Sequence, residues 1–159
     1  MRVEPYKVYL PLVARSYVAA PDLVVDSVVA TSGAITVTIS NRGSAATSHE
    51  FWVDAYVDPS PAPSAVNQVW PDLSDEGLVW GVTVTLSPGE VLTLTGDPAD
   101  PYYWPSLSHI SWPLAVGTPL YVQVDSADAG TTYGAVWETH EILGGAYNNV
   151  EGPELSTAP

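Results

Sequence analysis

The sequence of 159 residues contains no cysteine, few cations and no long hydrophobic run. Without cysteine, the chain forms no disulfide, no thiolate metal site and no cysteine nucleophile. The chain contains four Lys and Arg residues and 18 Asp and Glu residues, which gives a formal net charge of −14. Because so acidic a chain repels phosphate groups, we expect binding neither to nucleic acid nor to anionic membranes. A membrane-spanning helix needs about 18 to 20 apolar residues in succession, and no such run is present, so we expect no membrane insertion.

Helical periodicity is also scarce. No window places apolar residues at every third and fourth position between helix-capping residues. Val, Thr, Tyr and Trp are abundant, and these residues suit a pleated, half-buried surface. Hydrophobic residues make up 46% of the chain, enough for the core of one domain. The composition therefore predicts an all-β domain.

Short strands separated by turns follow one another along the chain. Their spacing of about ten residues is typical of an antiparallel β-sandwich. Turn residues such as 31–33 (TSG) and 87–90 (SPGE) separate neighbouring strands. We expect strands at residues 23–30, 34–40, 51–57, 79–86, 91–95, 120–125 and 134–139, with a last short strand after 148. The Pro-, Tyr- and Trp-rich stretch 96–113 predicts a long irregular loop.

Charge divides the chain unevenly. Three of the four cations, Arg2, Lys7 and Arg15, lie in the first fifteen residues. The remainder contains 17 of the 18 acidic residues and a single cation, Arg42. We therefore divide the chain into an N-terminal strand (1–15), a linker (16–21), a sandwich domain (22–155) and a tail (156–159).

The N-terminal segment has the two-residue period of an amphipathic strand. One face carries its apolar residues, which are Tyr6, Val8, Leu10 and Leu12. Pro11 lacks a backbone N–H and so confines this strand to a sheet edge. The strand can complete its own sheet, or it can add to the edge of a neighbouring copy, with opposite charges steering the pairing. Both arrangements remain open, and head-to-tail addition would build a filament.

No motif of catalysis or metal binding is evident. The three histidines, His49, His109 and His140, have no His-x-x-x-His spacing, and no Gly-x-Ser-x-Gly elbow is present. Several oxygen-bearing residues could bind calcium, but no EF-hand spacing orders them, so surface carboxylates are the favoured interpretation. These residues are Asp54, Asp58, Asp125, Asp128, Glu138, Glu141 and Asn149. We expect no enzymatic activity, no metal and no cofactor.

Aromatic residues crowd the two long loops. Exposed rings can stack on sugars, so a glycan-binding surface is one hypothesis. The alternative is that the rings cover the open ends of the sandwich as a small core, because each buries a large area. The candidate glycan-stacking residues are Trp70, Tyr102, Tyr103, Trp104 and Trp112.

Five pieces of the chain, in order, resemble the bacterial cell-adhesion-related domain (CARDB) family. They are 22–25 (DLVV) with 35–46 (ITVTISNRGSAA), 51–58 (FWVDAYVD), 86–90 (LSPGE), 122–126 (VQVDS), and 138–141 (ETHE) with 148–149 (NN). The resemblance covers residues 22–155. It implies an immunoglobulin-like or fibronectin-like sandwich on a secreted bacterial protein without enzymatic activity. The loops at 59–79 and 96–119 are longer and more aromatic than in that family.

These features predict a non-catalytic structural or adhesion protein at the bacterial cell surface. We expect it to self-assemble into a filament or sheath by N-terminal strand addition, with further copies of itself as partners. The alternative is a carbohydrate-binding or surface-attachment module whose loop aromatics contact polysaccharide. Residues 1–5 (MRVEP) lack the apolar core of a signal peptide, so the extracellular location follows from the resemblance alone.

Overall fold

The computed structural model describes residues 18–159. The strand predicted at 1–15, with its apolar residues Tyr6, Val8, Leu10 and Leu12, lies outside this range. The described chain contains seven strands and three short helical segments. The strands are β1 (Leu23–Ala30), β2 (Ile35–Asn41), β3 (Phe51–Val57), β4 (Glu76–Val82), β5 (Val91–Thr95), β6 (Pro119–Val124) and β7 (Val150–Leu155). The helices are α1 (Trp70–Leu73), α2 (Thr139–Leu143) and a 3-10 turn (Pro105–Leu107).

The strands form two antiparallel sheets, one ordered β1-β2-β5 and the other β4-β3-β6-β7. The prediction of an all-β antiparallel sandwich is therefore confirmed. In constant-type immunoglobulin domains the fourth strand belongs to the first sheet. Here β4 pairs with β3 over its whole length, from Phe51 opposite Val82 to Val57 opposite Glu76. The sandwich consequently has three strands on one side and four on the other.

The main core lies between the sheets and follows the two-residue period of the strands. Val53 and Ala55 of β3 are fully buried against Val37 and Ile39 of β2. Trp80 of β4 has the largest of the fully buried side chains, and its indole N–H donates to the Thr95 carbonyl at 2.7 Å. Burying these alternating apolar side chains is what fixes the register of the strands.

A second, smaller cluster lies on the outer face of the four-stranded sheet. Tyr56 and Val79 point away from the main core and are covered by Trp70 of α1. Gly77 makes this packing feasible, because a Cβ at that position would lie 2.5 Å from the Trp70 ring. The segment between β3 and β4 therefore folds back over the sheet and covers part of its outer face.

The strand predicted at 134–139 is wrong. The backbone N–H groups of Ala135 and Val136 donate to the Asp125 carboxylate, both at 2.9 Å, rather than to a neighbouring strand. Helix α2 follows directly, with a capping box between Glu138 and Glu141 at its start. The strand predicted at 79–86 also begins earlier and ends earlier, at Glu76 and Val82.

The segment predicted as an irregular loop at 96–113 covers the free edge of β4. Gly77 and His109 exchange two backbone hydrogen bonds of 2.7 and 2.9 Å, and Trp104 N–H donates to the Val79 carbonyl at 2.9 Å. An exposed strand edge invites pairing with another chain, and this cover removes that edge. Within residues 18–159, no helix is long and apolar enough to cross a membrane.

Candidate functional site

An aromatic groove lies on the outer face of the four-stranded sheet. Trp52 of β3 forms its floor, and the Trp104 ring meets it edge-on, with ring centroids 5.4 Å apart and planes at 76°. Gly81 of β4 is required for this pairing, since a Cβ there would lie 2.8 Å from Trp104 Nε1 and 3.0 Å from Trp52 Cζ3. Trp52 is thus carried by the sheet itself, and the backbone of Trp104 is hydrogen-bonded to β4 through Val79.

The groove has a volume of about 580 Å³ and an acidic rim. Glu50 and Asp128 line it together with the two tryptophans. A second cavity of about 250 Å³ adjoins it, because Trp52 and Ala127 line both. Volumes of this size suit a sugar unit or another small ring, and apolar walls with a few polar groups are typical of binding sites.

The five predicted glycan-stacking residues do not form one surface. Trp104 is 45% exposed and lines the groove, and Trp112 is 40% exposed on a separate stretch of loop. Trp70 is nearly buried, and its indole N–H donates to the Leu107 carbonyl at 2.9 Å. Tyr102 and Tyr103 are half-buried and pack against the main core. For Trp70, Tyr102 and Tyr103, the structure therefore fits the alternative of rings that cover the sandwich.

Sequence reasoning missed Trp52 as a groove residue. Its position in β3 places it on the face opposite Val53, and that alternation is visible in the sequence. A second aromatic pair, Tyr133 and Trp137, stacks with ring centroids 5.8 Å apart. Trp137 was expected in a strand, but it lies in the turn before α2 and is 59% exposed.

A buried polar network supports the groove from below. Asp54 is 2% exposed and accepts hydrogen bonds from Trp70 N–H at 2.9 Å and from Ser126 Oγ at 3.0 Å. Burial disfavours the ionised carboxylate and raises the pKa of Asp54 to about 6, although both hydrogen bonds oppose this shift. Beside it, Tyr56 donates to Gln123 Oε1 at 2.8 Å. The network fixes the positions of β3, α1 and the segment after β6.

A second polar cluster lies where the start of β1 meets α2. The interpretation of the carboxylates as solvated surface groups is wrong here, because Asp125 and Glu138 are fully buried. Burial raises the pKa of Asp125 to about 7 and that of Glu138 to about 8. Glu138 accepts hydrogen bonds from Leu23 N–H and from Asn149 Nδ2. This cluster ties two distant segments of the chain together.

The sequence matches no protein-family model, and comparison with curated proteins and with solved structures gives no significant match. The resemblance to the CARDB family therefore stays a prediction. A fold alone does not define a function, so the functional argument rests on the geometry of the surfaces described above.

Proposed function

We propose that this protein is a non-catalytic structural or adhesion module of the bacterial cell surface. In this proposal, copies assemble when the N-terminal segment of one chain adds as a strand to the β5 edge of the next. The observation that supports the proposal is the composition of the β5 edge, which differs from the other three sheet ends.

Within the described residues 18–159, three of the four end strands are protected. The edge of β4 is covered by the segment that contains His109. β7 contains Pro153 and two glutamates, features that oppose pairing with another strand. β1 is tied at one end by the Glu138 carboxylate and at the other by Thr157, whose N–H donates to the Ala30 carbonyl at 2.9 Å.

The β5 edge is short, uncharged and partly open. Gly96 N–H donates to the Ile35 carbonyl of β2, so alternation directs the backbone groups of Thr95, Thr93 and Val91 away from β2. The Thr95 N–H donates to the Asp100 carboxylate, and the Thr95 carbonyl accepts a hydrogen bond from the Trp80 indole N–H. Within residues 18–159, the outward backbone groups of Val91 and Thr93 have no hydrogen-bond partner. They offer a place for an added strand.

Charge favours an N-terminal segment as that added strand. The body of the chain contains a single cation, Arg42, which pairs with Asp26 at 2.6 Å. Residues 1–15 carry the other three cations and one apolar face. Attraction between a basic strand and an acidic body would steer the two together.

The β1 edge provides a matched control for a test of this proposal. Val91 on β5 is 57% exposed, and Val29 on β1 is 58% exposed. Val91→Lys places a cation at the proposed acceptor edge, whereas Val29→Lys places one at a tied edge. We expect the intact chain to form filaments in negative-stain electron microscopy. Val91→Lys and a chain without residues 1–15 should form none, whereas Val29→Lys should form filaments as the intact chain does. Assembly of the truncated chain, or equal loss in both lysine variants, would refute strand addition at β5.

A glycan-binding role is the second candidate, and the fixed pair of Trp52 and Trp104 favours it. Sugar stacking over these rings should alter tryptophan fluorescence when polysaccharides are titrated. Trp104→Ala should abolish the response, while Trp112→Ala, which removes a ring of similar exposure outside the groove, should retain it. Absence of any response across a broad polysaccharide panel would remove this candidate.

A further inference from the structure

Three side chains from two distant segments converge beside the start of β1. Asp22 precedes β1, Glu138 precedes α2, and His140 lies in the first turn of α2. Each offers one ligand atom, and these three atoms lie within 4.8 Å of one another. A convergence of two carboxylates and one imidazole is a donor set that binds divalent metal ions.

The His140 ring is buried without a hydrogen-bond partner. Its side chain is 9% exposed, and within residues 18–159 neither ring nitrogen has a partner. The nearest carboxylate oxygens are too distant, with Asp22 Oδ1 3.9 Å from Nδ1 and Glu141 Oε1 3.8 Å from Nε2. Buried polar groups are nearly always paired, so the unpaired Nδ1, which faces the Asp22 carboxylate, points to a bound cation. The other ring nitrogen, Nε2, faces Glu141 and would carry the proton.

Asn149 provides a second unpaired atom in the same cluster. Its side chain is fully buried, and its amide nitrogen donates to Glu138 Oε1 at 2.6 Å and to the Val124 carbonyl at 3.2 Å. The amide oxygen Oδ1 has no partner among the described residues. The amide nitrogen thus holds Glu138, one of the three converging side chains, in place.

We infer that Asp22, Glu138 and His140 form a binding site for one divalent metal ion of the zinc class. Zinc accepts mixed nitrogen and oxygen ligands, whereas calcium takes oxygen ligands alone. Tetrahedral zinc holds its ligand atoms roughly 3.5 Å apart, so small side-chain movements would close this cluster around the ion. The strong negative charge of the chain would attract such a cation.

The ion would join segments that are distant in sequence. Asp22 and Glu138 already approach through the hydrogen bond from Leu23 N–H to the Glu138 carboxylate. A metal held by both would fasten the start of β1 to α2. Because it binds the folded chain, it would also stabilise the fold by an amount that grows with the logarithm of the free metal concentration divided by Kd.

The test uses the intact chain after chelation and dialysis. Titration calorimetry with Zn²⁺ should show one ion per chain, and thermal unfolding should shift to higher temperature. Resonances of the His140 ring nitrogens in NMR spectra should move on zinc addition. His140→Gln should weaken zinc binding roughly tenfold or more, whereas the exposed His109→Gln should bind as the intact chain does.

Asp22→Asn provides a second variant in case His140→Gln fails to fold. Asp22 is partly exposed, and the amide keeps an oxygen to accept the hydrogen bond from Asn148 Nδ2, so the variant should fold and still bind zinc less tightly. Failure of the intact chain to bind zinc, or unchanged affinity in both Asp22→Asn and His140→Gln, would overturn the assignment. Calcium binding without any effect of His140→Gln would also overturn it.

Discussion

Replacing the buried Asp54 by asparagine should stabilise the protein at neutral pH. The ionised carboxylate of Asp54 is almost completely removed from water. Asparagine has nearly the same shape and carries no charge. Its oxygen can accept the hydrogen bond from Trp70 N–H, and its amide nitrogen can donate to Ser126 Oγ, so both existing contacts have a replacement.

The expected size of the effect follows from the pKa of Asp54. Burial raises that pKa from 3.8 to about 6 in the folded chain. Between these two values the folded state binds more protons than the unfolded state, so the contribution of Asp54 to stability falls as pH rises through this window. Each pKa unit corresponds to about 1.4 kcal/mol, which gives a loss of about 3 kcal/mol once the pH exceeds 6.

The assay is urea unfolding followed by tryptophan fluorescence, for the intact chain and for Asp54→Asn, at about pH 3.5 and about pH 7.5. Both samples should be dilute, because the isoelectric point of 4.1 promotes association near the lower pH. Taking the difference between the two proteins cancels the titration of the other buried carboxylates. That difference should increase by about 3 kcal/mol in favour of the variant between the two pH values.

The exposed Asp75 serves as the matched control. Asp75→Asn removes one acidic charge from the same strongly acidic chain, so it reports the general effect of net charge. We expect its difference from the intact chain to change by less than about 0.5 kcal/mol between the two pH values. If Asp54→Asn shows no pH-dependent gain beyond that of Asp75→Asn, the carboxylate of Asp54 does not carry the desolvation penalty argued here.

Three further substitutions test the packing, each by urea unfolding at neutral pH. Gly77→Ala should destabilise by about 1 to 3 kcal/mol, because the new Cβ would lie 2.5 Å from the Trp70 ring. Asn41→Ala should cost about 3 kcal/mol, since the fully buried Asn41 side-chain oxygen accepts hydrogen bonds from the Asp22 N–H at 3.1 Å and the Gly43 N–H at 3.0 Å, and both donors would lose their partner. Trp80→Ala should cost about 4 kcal/mol by opening a cavity in the main core, measured by circular dichroism because the variant loses a fluorophore.

Two exposed positions calibrate these losses. Gly33→Ala meets no atom within 4 Å and should change stability by less than about 0.5 kcal/mol. Trp137 is 59% exposed and stacks on Tyr133, so Trp137→Ala should cost no more than about 1.5 kcal/mol. Equal effects of Gly77→Ala and Gly33→Ala would contradict the close approach of α1 to β4. A loss in Trp80→Ala no greater than in Trp137→Ala would contradict the position of Trp80 in the core.

Strand prediction succeeded where apolar alternation determines the fold. The predicted bounds 23–30, 51–57 and 91–95 coincide with β1, β3 and β5. It failed at 134–139, where alternation is also present, because the Asp125 carboxylate takes the N–H groups that a strand would use. Asp125 lies about ten residues before Ala135 in sequence. No local pattern indicates that its carboxylate accepts hydrogen bonds from this later segment.

The candidate sites were only partly predictable. The sequence predicts Trp104 as an exposed loop aromatic, but it places Trp52 in a strand and does not indicate that the two rings meet on the outer face. From the sequence alone, Asp125 and Glu138 are interpreted as surface carboxylates, and His140 is given no role. A carboxylate has the same sequence signature whether it is solvated or buried, so its environment cannot be read from composition or spacing.

The sequence by itself determined the all-β class and most strand positions, because alternation of apolar residues is a local property that any sandwich of this kind must satisfy. The tertiary structure alone decided which polar groups are buried and which sheet edges are covered. Leu23 N–H meets the Glu138 carboxylate across 115 residues of chain, and the loop before β6 closes the edge of β4. Such contacts depend on how distant segments cross the sheets, and no local pattern encodes that path.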